Sequence, residues 1–558
     1  MLIFPTKESS DIWERYFTSR WYPYFWIALL GVLVYARTLG FGYVFFDDDH
    51  LILKNFDHIG SLKNIFLAFR TDMNWQSPGV YYRPLVTLTF IFDAVWSGKN
   101  PWGYHLTNIL LHVAANVLLY RFIILLKHDK RIALSVSLIF AAHPLLNHTV
   151  AFIPGRYDSL LAVMILSAMI SLIAYLEKSS LPMAALHFIA FLAALFTKET
   201  AIVFPVICCI FFILFRQPGK EYRKIIIPGT TWLLAAAIFF FFRGPVAGNI
   251  SIKYNTFGEN LAGLLSYLGK VLLPYNLSVM PIPQNTPLWP GMITLVLLLI
   301  LFALGRICRQ RYFLFGLSWF LLFLAPTMVR TLDFAYLLEQ RMYLPLMGIL
   351  IFMMESKIVR RMARPKPAWV ATVVLIMLLG GISFVHASVY RNDIVFWQNA
   401  VRYSPDSYFA HSMLGQRYAS RDLWAQAEKE LLTSKELNPR DPYVRHDLGL
   451  VKYNLKDYRG ALKELQNSLA MDPQMANADL FLEIAKSQVK LNMSVEAESS
   501  LKKAYDFDPR NPEANYLLSM IYYLHFDKKL SLFYYQQAVE LGYPHDPRII
   551  DRINGLKK

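Results

Sequence analysis

Residues 21–50 read WYPYFWIALLGVLVYARTLGFGYVFFDDDH. An apolar run of membrane length, 22–40, ends a few residues before Asp47, Asp48 and Asp49. Three carboxylates beside hydrocarbon are costly unless they face water or a polar cavity. No small-residue cleavage site follows the run, so it reads as a retained membrane helix rather than a signal peptide. Carboxylates held at its mouth suit proton transfer on a substrate that arrives from the lipid.

The rest of the chain extends this reading. Of 558 residues, 55% are hydrophobic and only 17% charged, which points away from an ordinary soluble protein. Apolar runs fall near 22–40, 104–126, 132–149, 157–176, 181–197, 200–216, 224–242, 288–305, 312–328, 342–356 and 367–387. That pattern predicts about 11 spans within residues 1–390. The net charge of +16 does not call for a nucleic-acid partner, because much of the basic excess lies in short loops between the apolar runs. Those loops carry Lys127, Lys130 and Arg131; Arg216, Lys220, Arg223 and Lys224; Arg306, Arg309 and Arg311; and Lys357, Arg360, Arg361, Arg364 and Lys366. Counted along alternate crossings they share one side, which the positive-inside rule makes the cytoplasm. The N-terminus is then cytoplasmic, and the C-terminal part lies outside. Two long outer loops, 41–103 and 243–287, hold the apolar stretches Val86 to Trp96 and Leu261 to Leu273, read as helices lying in the interface. The three cysteines imply no disulfide framework.

From about residue 390 the period changes. Pro405, Pro439, Pro473 and Pro509 are spaced 34, 34 and 36 residues apart. This is the tetratricopeptide period with a two-residue slip. Leu414, Gly415, Ala427 and Leu431, and then Leu448, Gly449, Ala461 and Leu465, fall where a helix pair needs small and large packing residues. Four such units stack as one solenoid over 391–558. The expected fold class is therefore all-α: a polytopic helical domain followed by an α-solenoid.

Under this topology several polar residues gather at the outer face. They are Asp47, Asp48, Arg83, His143, His148, Arg156, Asp158, Lys198, Glu199, Glu339 and Arg341. Convergence at one face fits surface chemistry better than a transport path, whose ionisable groups sit near the midplane. Each has a bland reading as well. An acidic run is commonly a solvated face, Arg83 before Pro84 anchors an interfacial helix, and His143 caps a helix end. Lys198 with Glu199 forms a boundary pair, and Arg341 with Glu339 a salt bridge. Asp93, inside an apolar stretch, receives no assignment.

The ordered motifs resemble those of the transmembrane-and-tetratricopeptide-repeat O-mannosyltransferases and their bacterial relatives, in the C superfamily of lipid-dependent glycosyltransferases. They are Val44 to Asp48 with Ile52 and Asn55; Tyr82-Arg83-Pro84-Leu85; Asn100 to Asn108 with Leu111-His112; Phe140 to Pro144; Arg156 and Asp158; Lys198-Glu199; and Glu339, Arg341, Tyr343 and Pro345. One departure stands out: His148 occupies the place where the family usually has glutamate, and Leu146 and Asn147 also differ. The resemblance implies transfer of a sugar from a polyprenyl phosphate to an acceptor hydroxyl at the outer surface. It implies Asp47 as the base, with Asp48 second. Arg83, Lys198 and Arg341 are implied for the donor phosphate, Arg156 with Asp158 as a positioning pair, and His143 as a donor contact. Glu199 joins the donor-binding set. No metal-ligand spacing is convincing and none is proposed; no cofactor is expected beyond the lipid-linked donor, with dependence on a divalent metal left open. The expected acceptor is a protein Ser/Thr hydroxyl, presented by the solenoid, with a glycan or lipid acceptor as the alternative. The expected location is the bacterial inner membrane with periplasmic repeats, or alternatively the endoplasmic reticulum with lumenal ones. Two rivals remain: a membrane-anchored scaffold recruiting envelope proteins, and a transporter of a lipid-linked sugar.

Overall fold

The computed structural model describes residues 16–556, except 77–78, 217–221, 247, 249–252, 255, 306, 331–336 and 363–365. Lys220, Arg306 and Arg364 therefore lie outside the described residues. The chain forms two compact units, 1–404 and 405–558, so the helix Asp393–Tyr403 lies with the first unit. Both are helical; the described strands are one two-residue antiparallel pairing of Lys253–Tyr254 with Val329–Arg330.

Among the described residues of the first unit, five helices are long and apolar enough to cross a membrane by length and composition: Tyr22–Gly40, Pro101–Leu125, Ile153–Lys178, Arg223–Arg243 and Trp369–Tyr390. Shorter apolar helices cover Pro84–Ser97, Leu181–Thr197, Glu199–Phe215 and Trp289–Ala303. The run 132–149, expected as one crossing, bends by 55° between Lys130–Ala142 and Pro144–Ala151. The cause is local. Proline removes a helical N–H and drives the preceding residue out of the helical region, and His143 is extended (φ −74°, ψ 126°). The stretch Val86 to Trp96 does form a helix, Pro84–Ser97.

Three helices set the ends of this unit. Pro101–Leu125, at 25 residues, is about 37 Å long at 1.5 Å per residue. It starts beside the acidic loop and leads to Lys127. Arg156–Lys178 starts at the same end and finishes at Lys178. Tyr343–Met353 starts just after Arg341 and finishes just before Glu355. At the far end, Arg309 and Arg360 meet on Glu355, Lys127 reaches Glu177, and Lys224 donates to the Leu176 carbonyl. Residues from all four basic loops thus gather opposite the acidic loop.

The second unit holds four helix pairs, Tyr408–Ala419 with Trp424–Leu437, Pro442–Asn454 with Tyr458–Met471, Ala478–Lys490 with Ser494–Phe507, and Pro512–Leu524 with Lys528–Glu540, followed by the short helix Pro547–Asn554. Each turn within a pair carries one residue at positive φ: Asp422, Lys456, Asn492 and Phe526. These are spaced 34, 36 and 34 residues apart. The slip in the proline period is therefore absorbed just after Pro473, in the short turn Pro473–Met475 before the Asn477 cap.

The pairs close on glycine. A Cβ at Gly449 would lie 2.6 Å from the Leu465 Cγ, and one at Gly415 would lie 2.7 Å from the Leu431 Cγ. Overpacking of this kind costs about 1–3 kcal/mol. Gly449→Ala is expected to lower the unfolding temperature of the second unit and to expose the 442–471 pair to limited proteolysis of the full chain.

Candidate functional site

The acidic loop splits its three carboxylates among three jobs. Phe45 adopts a left-handed backbone (φ 52°), a conformation that is costly for an aromatic residue and is kept only where surroundings enforce it. The turn folds Asp48 back on its own loop. Its carboxylate accepts the Val44 N–H at 2.7 Å and the Phe46 N–H at 2.9 Å, and the side chain is buried at 1% exposure. Asp49 pairs outward with Lys54 at 2.8 Å. Asp47 is partly buried and sits in the fields of Asp48 and Arg83. The Phe46 ring beside it is held against Phe152 and, at 5.5 Å, against Trp397 of the Asp393–Tyr403 helix.

Burial, with the Asp48 charge second, pushes the Asp47 carboxyl up to about 6, against the pull of Arg83. Burial pushes Asp48 up to about 6 as well, against three backbone N–H groups. Only one of the pair has capacity to spare. Asp48 spends its oxygens on the turn, whereas Asp47 is poised to exchange a proton near neutrality.

Tyr157 is the hub behind Asp47. The Arg83 guanidinium lies 4.9 Å and the Lys198 ammonium 4.8 Å from its ring centre, within the range of cation–π attraction. Its hydroxyl accepts from Gln340 Nε2 at 2.6 Å. Arg83 donates Nη2–H and Nε–H to one oxygen of Glu199, at 3.0 and 3.3 Å. Lys198 donates to Asp158 Oδ1 at 2.5 Å, and Asp158 Oδ2 is buried with no hydrogen-bond partner among the described residues. Arg341 lies in the same field, bonded to Tyr267 and acting on Asp158 and Lys198. Neighbouring Lys198 and Glu199 thus reach different partners, and Glu339 is engaged by Lys270 at 2.7 Å.

Two expected roles change. Arg156 does not pair with Asp158. It is fully buried and is held by Asn108 at 2.9 Å, the Tyr104 carbonyl at 2.7 Å, Thr89, and Asp93. Residues two apart on a helix point about 200° away from each other, so Arg156 faces the Pro84–Ser97 and Pro101–Leu125 helices while Asp158 faces Lys198. His143 spends both ring nitrogens on the fold: Nδ1 accepts the Leu145 N–H at 3.3 Å and Nε2 meets the Val271 carbonyl at 3.0 Å. That engagement leaves His143 no nitrogen for a donor. His148 is buried beside Tyr390 and Phe152.

Tyr157 and Gln340 were not singled out by motif reading, although each adjoins a residue that was. Asp93 carried one signal, a lone carboxylate in an apolar stretch. It is 4% exposed and also accepts from Thr107 at 2.6 Å.

No family model matches the chain. It is similar to protein O-mannosyl-transferase Tmtc1 of Drosophila melanogaster, 31% identical over 38% of this chain and 25% of that one. It is similar to protein O-mannosyl-transferase TMTC3 of Mus musculus, 23% identical over 88% of this chain and 64% of that one. A third relative, protein O-mannosyl-transferase F38B6.6 of Caenorhabditis elegans, is 24% identical over 74% of this chain and 62% of that one. The chain thus spans less than two thirds of the length of these relatives. Among solved structures, MamA covers 27% of this chain at 17% identity and a TM-score of 0.25. YrrB, described as a TPR protein with an unusual peptide-binding site, covers 36% at 15% identity and a TM-score of 0.26. The resemblance read from the motifs, to the transmembrane-and-tetratricopeptide-repeat protein O-mannosyltransferases, is therefore found again in sequence similarity to relatives from fly, mouse and worm.

Proposed function

We propose that the chain is an integral-membrane glycosyltransferase that moves a sugar from a polyprenyl-phosphate donor to a hydroxyl of a protein acceptor. The observation that carries this reading is the cluster of Asp47, Arg83, Tyr157, Lys198 and Arg341, drawn from separate segments to one end of the helical unit. In the reaction the acceptor hydroxyl gives its proton to Asp47, and its oxygen forms the new bond at the anomeric carbon. The bond from that carbon to the phosphate oxygen breaks, and polyprenyl phosphate leaves with its negative charge. Arg83, Lys198 and Arg341 supply the positive field that such a leaving group needs. Tyr157 holds the first two at a fixed spacing. The similarity to enzymes named protein O-mannosyl-transferases supports a sugar as the group moved and a protein as the acceptor.

The finer parts belong to the same proposal: about 11 crossings, a cytoplasmic N-terminus, and chemistry and solenoid on the outer side of a bacterial inner membrane, with the endoplasmic reticulum the alternative. The solenoid presents the acceptor polypeptide.

The test is a transfer assay with the full-length protein, a panel of polyprenyl-phosphate sugars and an extract of envelope proteins. Sugar appearing on protein in a donor-dependent manner supports the reading. A folded protein that captures envelope proteins but transfers nothing from any donor supports the scaffold instead. Within that assay, Arg83→Lys keeps a charge and loses the paired N–H contacts to Glu199 and the guanidinium contact with the Tyr157 ring. It is expected to raise the KM for donor about tenfold, the size of one charge-assisted hydrogen bond, with the KM for acceptor unchanged.

A further inference from the structure

We propose that the end of the helical unit opposite the acidic loop holds a second binding site, one for a phosphate group. A cavity of about 220 Å³ lies there, lined by Lys127, His128, Asp129, Arg131, Ile132, Arg309 and Arg360. Its volume is below that of drug-sized pockets and suits a compact polar headgroup.

The lining is built rather than accidental. Glu355, fully buried, accepts from Arg309 and from Arg360, each at 3.0 Å. One carboxylate therefore orients two guanidiniums and leaves one positive charge over. The Arg309 guanidinium also lies 3.8 Å from the centre of the Tyr312 ring, which fixes its plane. Asp129, the one acid in the lining, is committed to capping its helix, with Oδ1 accepting the Arg131 N–H at 2.8 Å. His128 lies against Arg309 and Glu355, and burial together with the two arginines drives its imidazole down to about 3. It adds polarity without a charge to be neutralised. Among the described residues named here, four cations thus face two acids. Counting Glu177, which lies 3.8 Å from Lys127 at the rim, the excess is still positive.

Planar guanidiniums held in place by a buried acid, flanked by lysine and arginine at the rim, match the oxygens of a phosphate. The position also fits. The cavity lies at the ends of apolar helices, and basic pockets at such ends receive the headgroups of anionic lipids. A free phosphate presents the same chemistry. None of these residues belongs to the Asp47 cluster, so this site stands or falls independently of the proposed transfer.

The experiment uses the full-length protein in detergent, with dioctanoyl phosphatidic acid, dioctanoyl phosphatidylcholine and inorganic phosphate as probes. Retention is read by native mass spectrometry and by the shift in melting temperature. Phosphatidic acid is expected to bind in preference to phosphatidylcholine. Its affinity is expected to fall about fivefold for each cation removed in Lys127→Gln and Arg131→Gln, and further in Arg360→Gln. Lys127 is exposed and meets Glu177 only loosely, at 3.8 Å, so Lys127→Gln keeps the lipid-free melting temperature and reports binding alone. Inorganic phosphate binding as tightly as phosphatidic acid, with the same loss in the variants, upholds the phosphate site and identifies its ligand as the free ion. Equal retention of phosphatidic acid by wild type and all three variants overturns the proposal.

Discussion

Asp47→Asn is expected to lower sugar transfer by about 10²–10⁴-fold, the usual contribution of a positioned general base, while leaving the fold intact. The separation of those two effects is what gives the result its meaning. The Asp47 carboxyl is held near 6, above its ordinary value, first by burial and then by Asp48. A folded-state value above the unfolded one means that ionisation works against folding. Stability is therefore lost as pH rises from about 4 through about 6, and an uncharged amide at this position is neutral or mildly stabilising at pH 7. Transfer runs the other way. The base must be ionised, so wild-type activity is expected to climb as pH rises through about 6 and then to level off. Asp48→Asn provides the contrast. Its carboxylate accepts two backbone N–H groups from opposite oxygens, and an amide offers an oxygen to one and an NH₂ to the other. That variant is expected to destabilise the loop, lowering the melting temperature along with activity. Measuring transfer and thermal unfolding of both variants side by side decides between them. Full activity in Asp47→Asn removes it as the base, whatever Asp48 does.

Arg156→Met is expected to destabilise the helical unit by about 3–5 kcal/mol, the cost of removing one partner from a buried ion pair. The guanidinium is completely buried and serves Asn108, the Tyr104 carbonyl, Thr89 and Asp93. Its loss leaves the buried Asp93 carboxylate without its cation, with the Thr107 hydroxyl still bonded to it. The paired change Asp93→Leu with Arg156→Met is expected to recover much of the loss, because replacing both members of a buried pair by apolar groups is far less costly than removing one. If Arg156 acted on the donor instead, the single variant would melt normally and bind donor poorly, and the double variant would rescue nothing. Thermal unfolding of the single and double variants, with donor KM measured on each, separates these outcomes.

Membrane-length apolar runs and the proline period depend on residues close in sequence, so they are visible without any tertiary contact. The bend at His143-Pro144 had a local signal too, but a run of apolar residues on both sides concealed it. Partner choice was harder. Arg156 and Asp158 sit two positions apart and invite pairing, yet the helix turns them to opposite sides. Lys198 and Glu199 adjoin and invite the same error. His143 carried a plausible polar role, and only the close approach of Val271, 128 residues away, shows that its second nitrogen is taken.

By itself, the sequence of this protein determined the helical class, the repeat period, the gathering of acid at one loop and of base at four others, and the set of polar residues from which a site could be made. Those are properties of composition and of spacing along the chain. The tertiary structure alone decided which acid is free and which is spent on its own turn. It alone decided that Arg83 and Lys198 both meet the Tyr157 ring, and that Glu355 draws two arginines into one pocket. These facts depend on the direction in which each side chain leaves its helix and on contacts between residues far apart in sequence, and neither is written in any local pattern.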